Sequence, residues 1–201
     1  MNKLKHSLLK ILKICRSNSI SSTSFTFIFL FCALSGHSQL TFLGASASYS
    51  DSYRSWEIYS VDSTDIGYTE LLDLKWPLRN DWTEWKWETE EEVIYLQQTY
   101  RNNDSQWSHR VYLNPSTMKA KWRNDPRIWT ISYGNEKFIW KTANNLTDQW
   151  VYNDKEYGYF EVITTYENDP RDWEILDESS LPDEVKRSMI FISLYVASPK
   201  L

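Results

Sequence analysis

Beyond its first 38 residues the sequence holds no cysteine, one histidine (His109) and only four glycines. These absences exclude disulfides, thiolate nucleophiles, Cys/His zinc sites and glycine-rich phosphate loops. No later apolar run reaches the ~20 residues that a membrane-crossing helix needs. Positive charge is scarce as well. Of the 22 Lys and Arg in the 201-residue chain, five precede residue 39, which leaves 17 against 27 Asp and Glu, a formal charge of −10. That balance argues against nucleic acid and anionic membrane surfaces as partners.

The first 38 residues differ in kind. MNKLKHSLLKILKICR is basic and free of acids, FTFIFLFCAL is apolar, and Gly36 and Ser38 are small residues at alternate positions. This order is that of a secretory signal peptide, with cleavage expected after Ser38. Its apolar run is too short to span a bilayer. Phe31 before Cys32 is too bulky for a lipid-attachment site. The expected location is therefore secreted, periplasmic or cell-surface, with no integral membrane span once the segment is removed.

What the remainder has in abundance is tryptophan, all 11 copies in the chain. Five of them, Trp85, Trp107, Trp129, Trp150 and Trp173, follow one another at intervals of 22, 22, 21 and 23 residues. Each is preceded five positions earlier by asparagine: Asn80, Asn102, Asn124, Asn145 and Asn168. The segments LRNDWTEW, YRNNDSQW, WRNDPRIW, ANNLTDQW and YENDPRDW are copies of one unit. A weaker copy, YSDSYRSW, ends at Trp56, and the longer gap to Trp85 marks an insertion in that first unit. After each tryptophan the residues alternate, as in Trp129-Thr-Ile131-Ser-Tyr133. A turn and a second alternating run follow, such as Phe138-Ile-Trp140-Lys-Thr142. Each unit therefore reads as two antiparallel strands with one apolar face. Asparagine suits the intervening loop, because its side chain bonds the backbone two residues on and tolerates left-handed angles. A row of loop oxygens binding calcium is the competing use, although each loop offers only one or two ligands.

The expected fold is mainly β: an antiparallel meander of about six 22-residue hairpin repeats, closed as a barrel or left as a curled sheet, with a C-terminal helix. The division is a signal peptide at 1–38, repeats at 39–178, and a helix and tail at 179–201 packed on the repeats. Ser180 is the expected helix cap, and Val185, Met189, Ile192 and Val196 recur at helical spacing. MIFISLYV is β-rich enough to keep a strand as the rival. Hairpin repeats of the MORN family and of choline-binding cell-wall proteins rely on regular glycines, which these units lack.

Chemistry is harder to find. His109 falls where other units carry isoleucine, a core position. The carboxylate runs Glu88, Glu90, Glu91, Glu92 and Asp177, Glu178, Asp183, Glu184 read as solvated turn and helix-start residues. No catalytic residue, cofactor or metal is expected, and the chain is read as a non-enzyme. The irregular tryptophans Trp76, Trp82, Trp87 and Trp140 are better binding candidates than the regular ones. A ligand surface is expected at the irregular first unit, from Asp62, Asp65, Tyr68, Trp76 and Trp82, which combine acceptors with aromatic faces. The functional expectation is a secreted, non-catalytic binding or interaction protein with a protein or glycan partner. A β-barrel with an aromatic interior that holds a small ligand or carbohydrate is the alternative, and a carboxylate-based hydrolase stands behind both.

Overall fold

The computed structural model describes residues 39–101, 103–110, 115–167 and 169–200; of Arg110 only the backbone is described. Residues 1–38, expected as a signal peptide, Asn102, Asn168 and the first two residues of the LNPST turn lie outside the described residues.

Twelve strands form one closed antiparallel barrel. They are β1 (Thr41–Tyr49), β2 (Ser52–Val61), β3 (Gly67–Trp76), β4 (Asp81–Glu88), β5 (Val93–Gln98) and β6 (Gln106–Arg110), then β7 (Ser116–Trp122), β8 (Asp125–Tyr133), β9 (Glu136–Thr142), β10 (Gln149–Asp154), β11 (Gly158–Tyr166) and β12 (Asp169–Ser179). A 3-10 turn (Pro77–Arg79) separates β3 from β4, and the one α-helix among the described residues, α1 (Asp183–Ala197), follows β12. Each strand pairs with its neighbours in sequence, and β1 pairs with β12 to close the ring. The meander and the C-terminal helix are as the repeat pattern predicts, with the barrel chosen over the open sheet.

The closing strand has no counterpart in the repeat count. The unit that begins at Trp173 turns into α1 after its first strand, and β1 supplies the missing second strand through Gly44↔Glu174, Ala45↔Trp173 and Ser46↔Asp172. The backbones meet closely there: a Cβ on Gly44 would lie 2.8 Å from the carbonyl oxygen of Trp173. One of the few glycines thus sits where any side chain would push the seam apart.

Alternation sends one face of every strand inward. Trp56, Trp85, Trp107, Trp129, Trp150 and Trp173 occupy equivalent lumen-facing positions and are 0–3% exposed. Each indole N–H donates to the backbone carbonyl three residues earlier, at 2.6–3.3 Å. That bond explains why the unit requires tryptophan: the ring fills the core, and its N–H satisfies a loop carbonyl that would otherwise lack a partner.

The loop before each tryptophan divides its labour differently from expectation. Left-handed backbone does fall at the asparagine five residues before, in Asn80 (φ 51°) and Asn145 (φ 65°). The bond to the backbone two residues on is made instead by the residue four before, as in Asp81 to Thr83, Asn103 to Ser105, Asp125 to Arg127 and Asp169 to Arg171. A carboxylate at that position accepts the amide and stays half-buried within its own loop.

Helix α1 lies inside the barrel. Every residue from Val185 to Tyr195 is buried, including Lys186, Arg187, Ser188 and Ser193. The helix touches strands all round the ring: Glu70 of β3, Trp85 of β4, Trp107 of β6, Ser116 of β7, Trp140 of β9 and Asp177 of β12. Only a central position reaches all of these. Twelve strands about 4.8 Å apart and tilted about 40° enclose a ring roughly 24 Å across, wide enough for a helix and one layer of side chains. The β-rich look of MIFISLYV follows, because a helix enclosed on every side is apolar on every side. The expected serine cap is not formed. The helix starts at Asp183 with Pro182 as its cap residue and no side-chain cap bond, while the Ser180 amide donates to the carbonyl of Tyr157 at 2.8 Å.

Candidate functional site

The five residues expected to form one ligand surface fall into two groups. Asp62, Asp65 and Tyr68 build the β2–β3 turn. One Asp62 oxygen accepts from the Thr64 hydroxyl (2.7 Å), the Thr64 amide (2.8 Å) and the Ile66 amide (3.1 Å), and the other accepts from the Tyr68 hydroxyl (3.2 Å). These donors, the Thr64 hydroxyl foremost, hold the Asp62 carboxyl below its ordinary range. Asp65 adopts left-handed backbone (φ 60°) and is exposed.

Trp76 and Trp82 lie at the other end of β3. That strand is ten residues long, or about 30 Å at ~3.3 Å per residue, so no small ligand touches both groups. Trp76 is 40% exposed. Its indole N–H donates to Glu84 at 3.2 Å, and Lys75 (5.4 Å) and Arg79 (5.0 Å) lie over its ring. Lys75 also pairs with Glu84 at 2.7 Å and approaches the Tyr95 ring at 5.1 Å. Trp82 is half-buried, donates to Asn80 at 2.8 Å and packs edge-on against Trp85.

The other irregular tryptophans are core residues, contrary to expectation. Trp87 and Trp140 are fully buried. Trp87 donates to Glu70 at 2.6 Å and Trp140 to Ser193 at 3.1 Å. They break the regular spacing because they anchor polar groups around the helix, a need that arises only where α1 passes them.

The lumen contains the polar groups with most chemical potential, all of them engaged with α1. Arg187 grips Glu70 through Nη2 (2.5 Å) and Nε (3.0 Å), and Lys186 pairs with Asp177 at 2.8 Å and donates to the Leu40 carbonyl. Asp177 is thus buried and paired, whereas Glu90, Glu91 and Glu92 are solvated as expected. His109 Nδ1 lies 3.3 Å from Ser188 Oγ, and Ser116 Oγ lies 3.2 Å from the same hydroxyl. His109 Nε2 is buried with no hydrogen-bond partner among the described residues. Burial first, then the nearby Arg187 charge, pushes the imidazole from 6.5 down to about 3. At neutral pH it is an uncharged core residue, and Ser188 turns its hydroxyl to the Glu184 carbonyl at 2.8 Å. Among the described residues no group of three or more His, Cys, Asp or Glu is placed to hold a metal ion.

The lowered histidine value has a consequence for acid stability. Between 6.5 and about 3 the unfolded chain takes up a proton that the folded one refuses, so stability falls as pH drops through that window. At pH 5 the expected loss from this group is about 2 kcal/mol relative to pH 7 or above. Urea titrations at pH 7 and pH 5 should show this difference in the wild type and lose most of it in His109→Gln.

The fold and its lumen define a class by construction, a twelve-stranded hairpin-repeat barrel plugged by its own C-terminal helix. No protein-family model matches the chain, and neither a curated protein nor a solved structure is detectably similar to it.

Proposed function

We propose that this is a secreted, non-catalytic binding protein that makes its contacts from the outer surface and end loops of a filled barrel. The observation that supports this reading best is the burial of α1 on every side. An aromatic interior that serves a small ligand must leave room for it, and ligand sites usually enclose at least about 300 Å³. Here the aromatic side chains meet the helix, as Trp107 meets Phe191 (4.9 Å) and Tyr195 (4.7 Å). The sealed position of His109 supports the absence of catalysis. Secretion rests on the N-terminal segment.

On this reading the first contact region is the Trp76–Trp82 corner, with the Asp62–Tyr68 turn a separate surface. Affinity capture and glycan arrays with the purified protein test it, with Trp82→Ala and Tyr68→Ala used singly. A partner that is retained by the wild type and weakened about tenfold by one of the two variants is the expected result. A small molecule released from the purified protein on unfolding, or hydrolytic turnover of a bound glycan, overturns it.

A further inference from the structure

In four end loops the residue pairing with the position four before the core tryptophan is aromatic: Tyr49↔Ser52, Trp76↔Asp81, Trp122↔Asp125 and Tyr166↔Asp169. In each case the register slips by two residues just before it, between Ala47 and Tyr49, Leu74 and Trp76, Ala120 and Trp122, and Thr164 and Tyr166, with the two extra residues on the strand that carries the core tryptophan. The extra residues loosen the ladder where each hairpin leaves the barrel wall, and the aromatic side chain there is exposed. In the β5–β6 loop Tyr100 stands at the matching place and accepts from the Asn103 amide at 3.1 Å. The β9–β10 loop carries Leu146. These six side chains are 40–62% exposed. One end of the barrel therefore carries a crown of apolar side chains, at least one per loop, with Leu78 beside Trp76 in the β3–β4 loop.

Charge is segregated along the same axis. Lys75, Arg79, Arg101, Lys121 and Arg123 are exposed in the crown loops and the bulges beside them, against Asp51, Asp104 and Glu167. Asp81, Asp125, Asp148 and Asp169 in the crown loops are half-buried and bonded within their own loops, and Glu84 is paired with Lys75. Exposed acids crowd the opposite end, with Asp65, Glu90, Glu91, Glu92, Asp154 and Glu156 set against Lys137 and Lys155 among the described residues. The total charge of −10 conceals this polarity.

We propose that the crown is a docking surface for the headgroup layer of a phospholipid bilayer. This rests on the reading of the protein as a binding module and names its partner. On a ring roughly 24 Å across, six loops spaced evenly stand about 12 Å apart. Side chains at that spacing suit an extended flat partner rather than one small pocket. Both crown tryptophans carry cations against their rings, Lys75 and Arg79 over Trp76 and Lys121 5.7 Å from the Trp122 ring centre. Cations next to Trp and Tyr match lipid phosphates above the acyl boundary, where aromatic side chains settle at membrane interfaces. The acidic end is directed away from the same surface. Docking is peripheral: the strands face their apolar residues inward and their charged ones outward, the inverse of a barrel that spans lipid.

The test is flotation of the purified protein with vesicles of phosphatidylcholine and phosphatidylglycerol at 7:3. The wild type is expected to float. The triple variant Tyr100→Ser, Trp122→Ser, Tyr166→Ser is expected to lose at least tenfold in partitioning, with an unchanged unfolding transition because all three side chains are exposed. Glu90→Gln, Glu91→Gln, Glu92→Gln at the far end should float like the wild type. A wild type that stays with the soluble fraction, or a folded triple variant that floats equally well, overturns the bilayer assignment. A wild type that does not float but forms dimers dissolved by the triple variant also overturns it, in favour of a second copy. Capture of a soluble partner is read separately, so the broader binding reading can stand if the bilayer fails.

Discussion

Replacing Arg187 with leucine is expected to cost about 3–5 kcal/mol of folding stability. The guanidinium is the charge partner of Glu70, and both side chains lie within the barrel with at most 9% of their surface exposed. Without it the Glu70 carboxylate keeps, among the described residues, the Trp87 indole as its side-chain donor. A charge buried with one hydrogen bond is far worse off than in water. The pair itself need not be a net source of stability, since taking two ions out of water consumes most of what their attraction returns. The double variant Glu70→Gln, Arg187→Met tests that distinction. It removes both charges and keeps an amide oxygen for Trp87, so it should recover most of the loss. Urea unfolding at constant m-value gives the comparison. A single variant that costs less than about 1 kcal/mol would mean that water reaches the pair. The ion pairs of Arg187 and Lys186 fix the depth and rotation of α1, because each matches one helical residue to one strand, β3 and β12 respectively.

The second large effect concerns the joint between repeat and plug. Trp107→Ala is expected to cost about 3–5 kcal/mol. The ring is buried, packs edge-on against Phe191 and Tyr195, and caps the Asp104 carbonyl at 2.9 Å. Trp122→Ala changes a residue of the same type in the next unit, yet its ring is mostly solvated, and the expected cost is within about 0.5 kcal/mol. The contrast separates the two roles of tryptophan in one repeat. A double-mutant cycle between Trp107→Ala and Phe191→Ala should give a coupling of about 0.5–3 kcal/mol, while Trp122→Ala and Phe191→Ala should be additive. Additivity in the first cycle would show that helix and strand do not support each other there.

The expectations that failed share a cause. Trp87 and Trp140 look irregular in sequence and so suggest exposure, yet each answers a polar group, Glu70 or Ser193, that only the buried helix brings near. Asp177 belongs to a run of acids and reads as solvated, but the lumen places Lys186 against it. Part of the crown is visible in the repeat itself, since three of its units begin with Tyr100, Trp122 and Tyr166. The longer loop after Trp76 hides its equivalence with the others until the register is known. Asp62 and Trp82 seem to share the first unit, but a fully extended β3 carries them to opposite ends of the barrel.

The sequence by itself determined the hairpin repeat, its six core tryptophans, the inward and outward alternation and the existence of the helix. All of these depend on neighbours within one or two units, where the period of the backbone is imposed directly on the pattern of residues. Tertiary structure alone decided the rest: that β1 closes the ring on β12, that α1 enters the lumen, and that the end loops gather into one crown and one acidic face. Those outcomes depend on contacts between residues more than 100 positions apart, such as Arg187 with Glu70 and Lys186 with Leu40. No local periodicity encodes such contacts, because they follow from closing the sheet and from the width of the space it encloses.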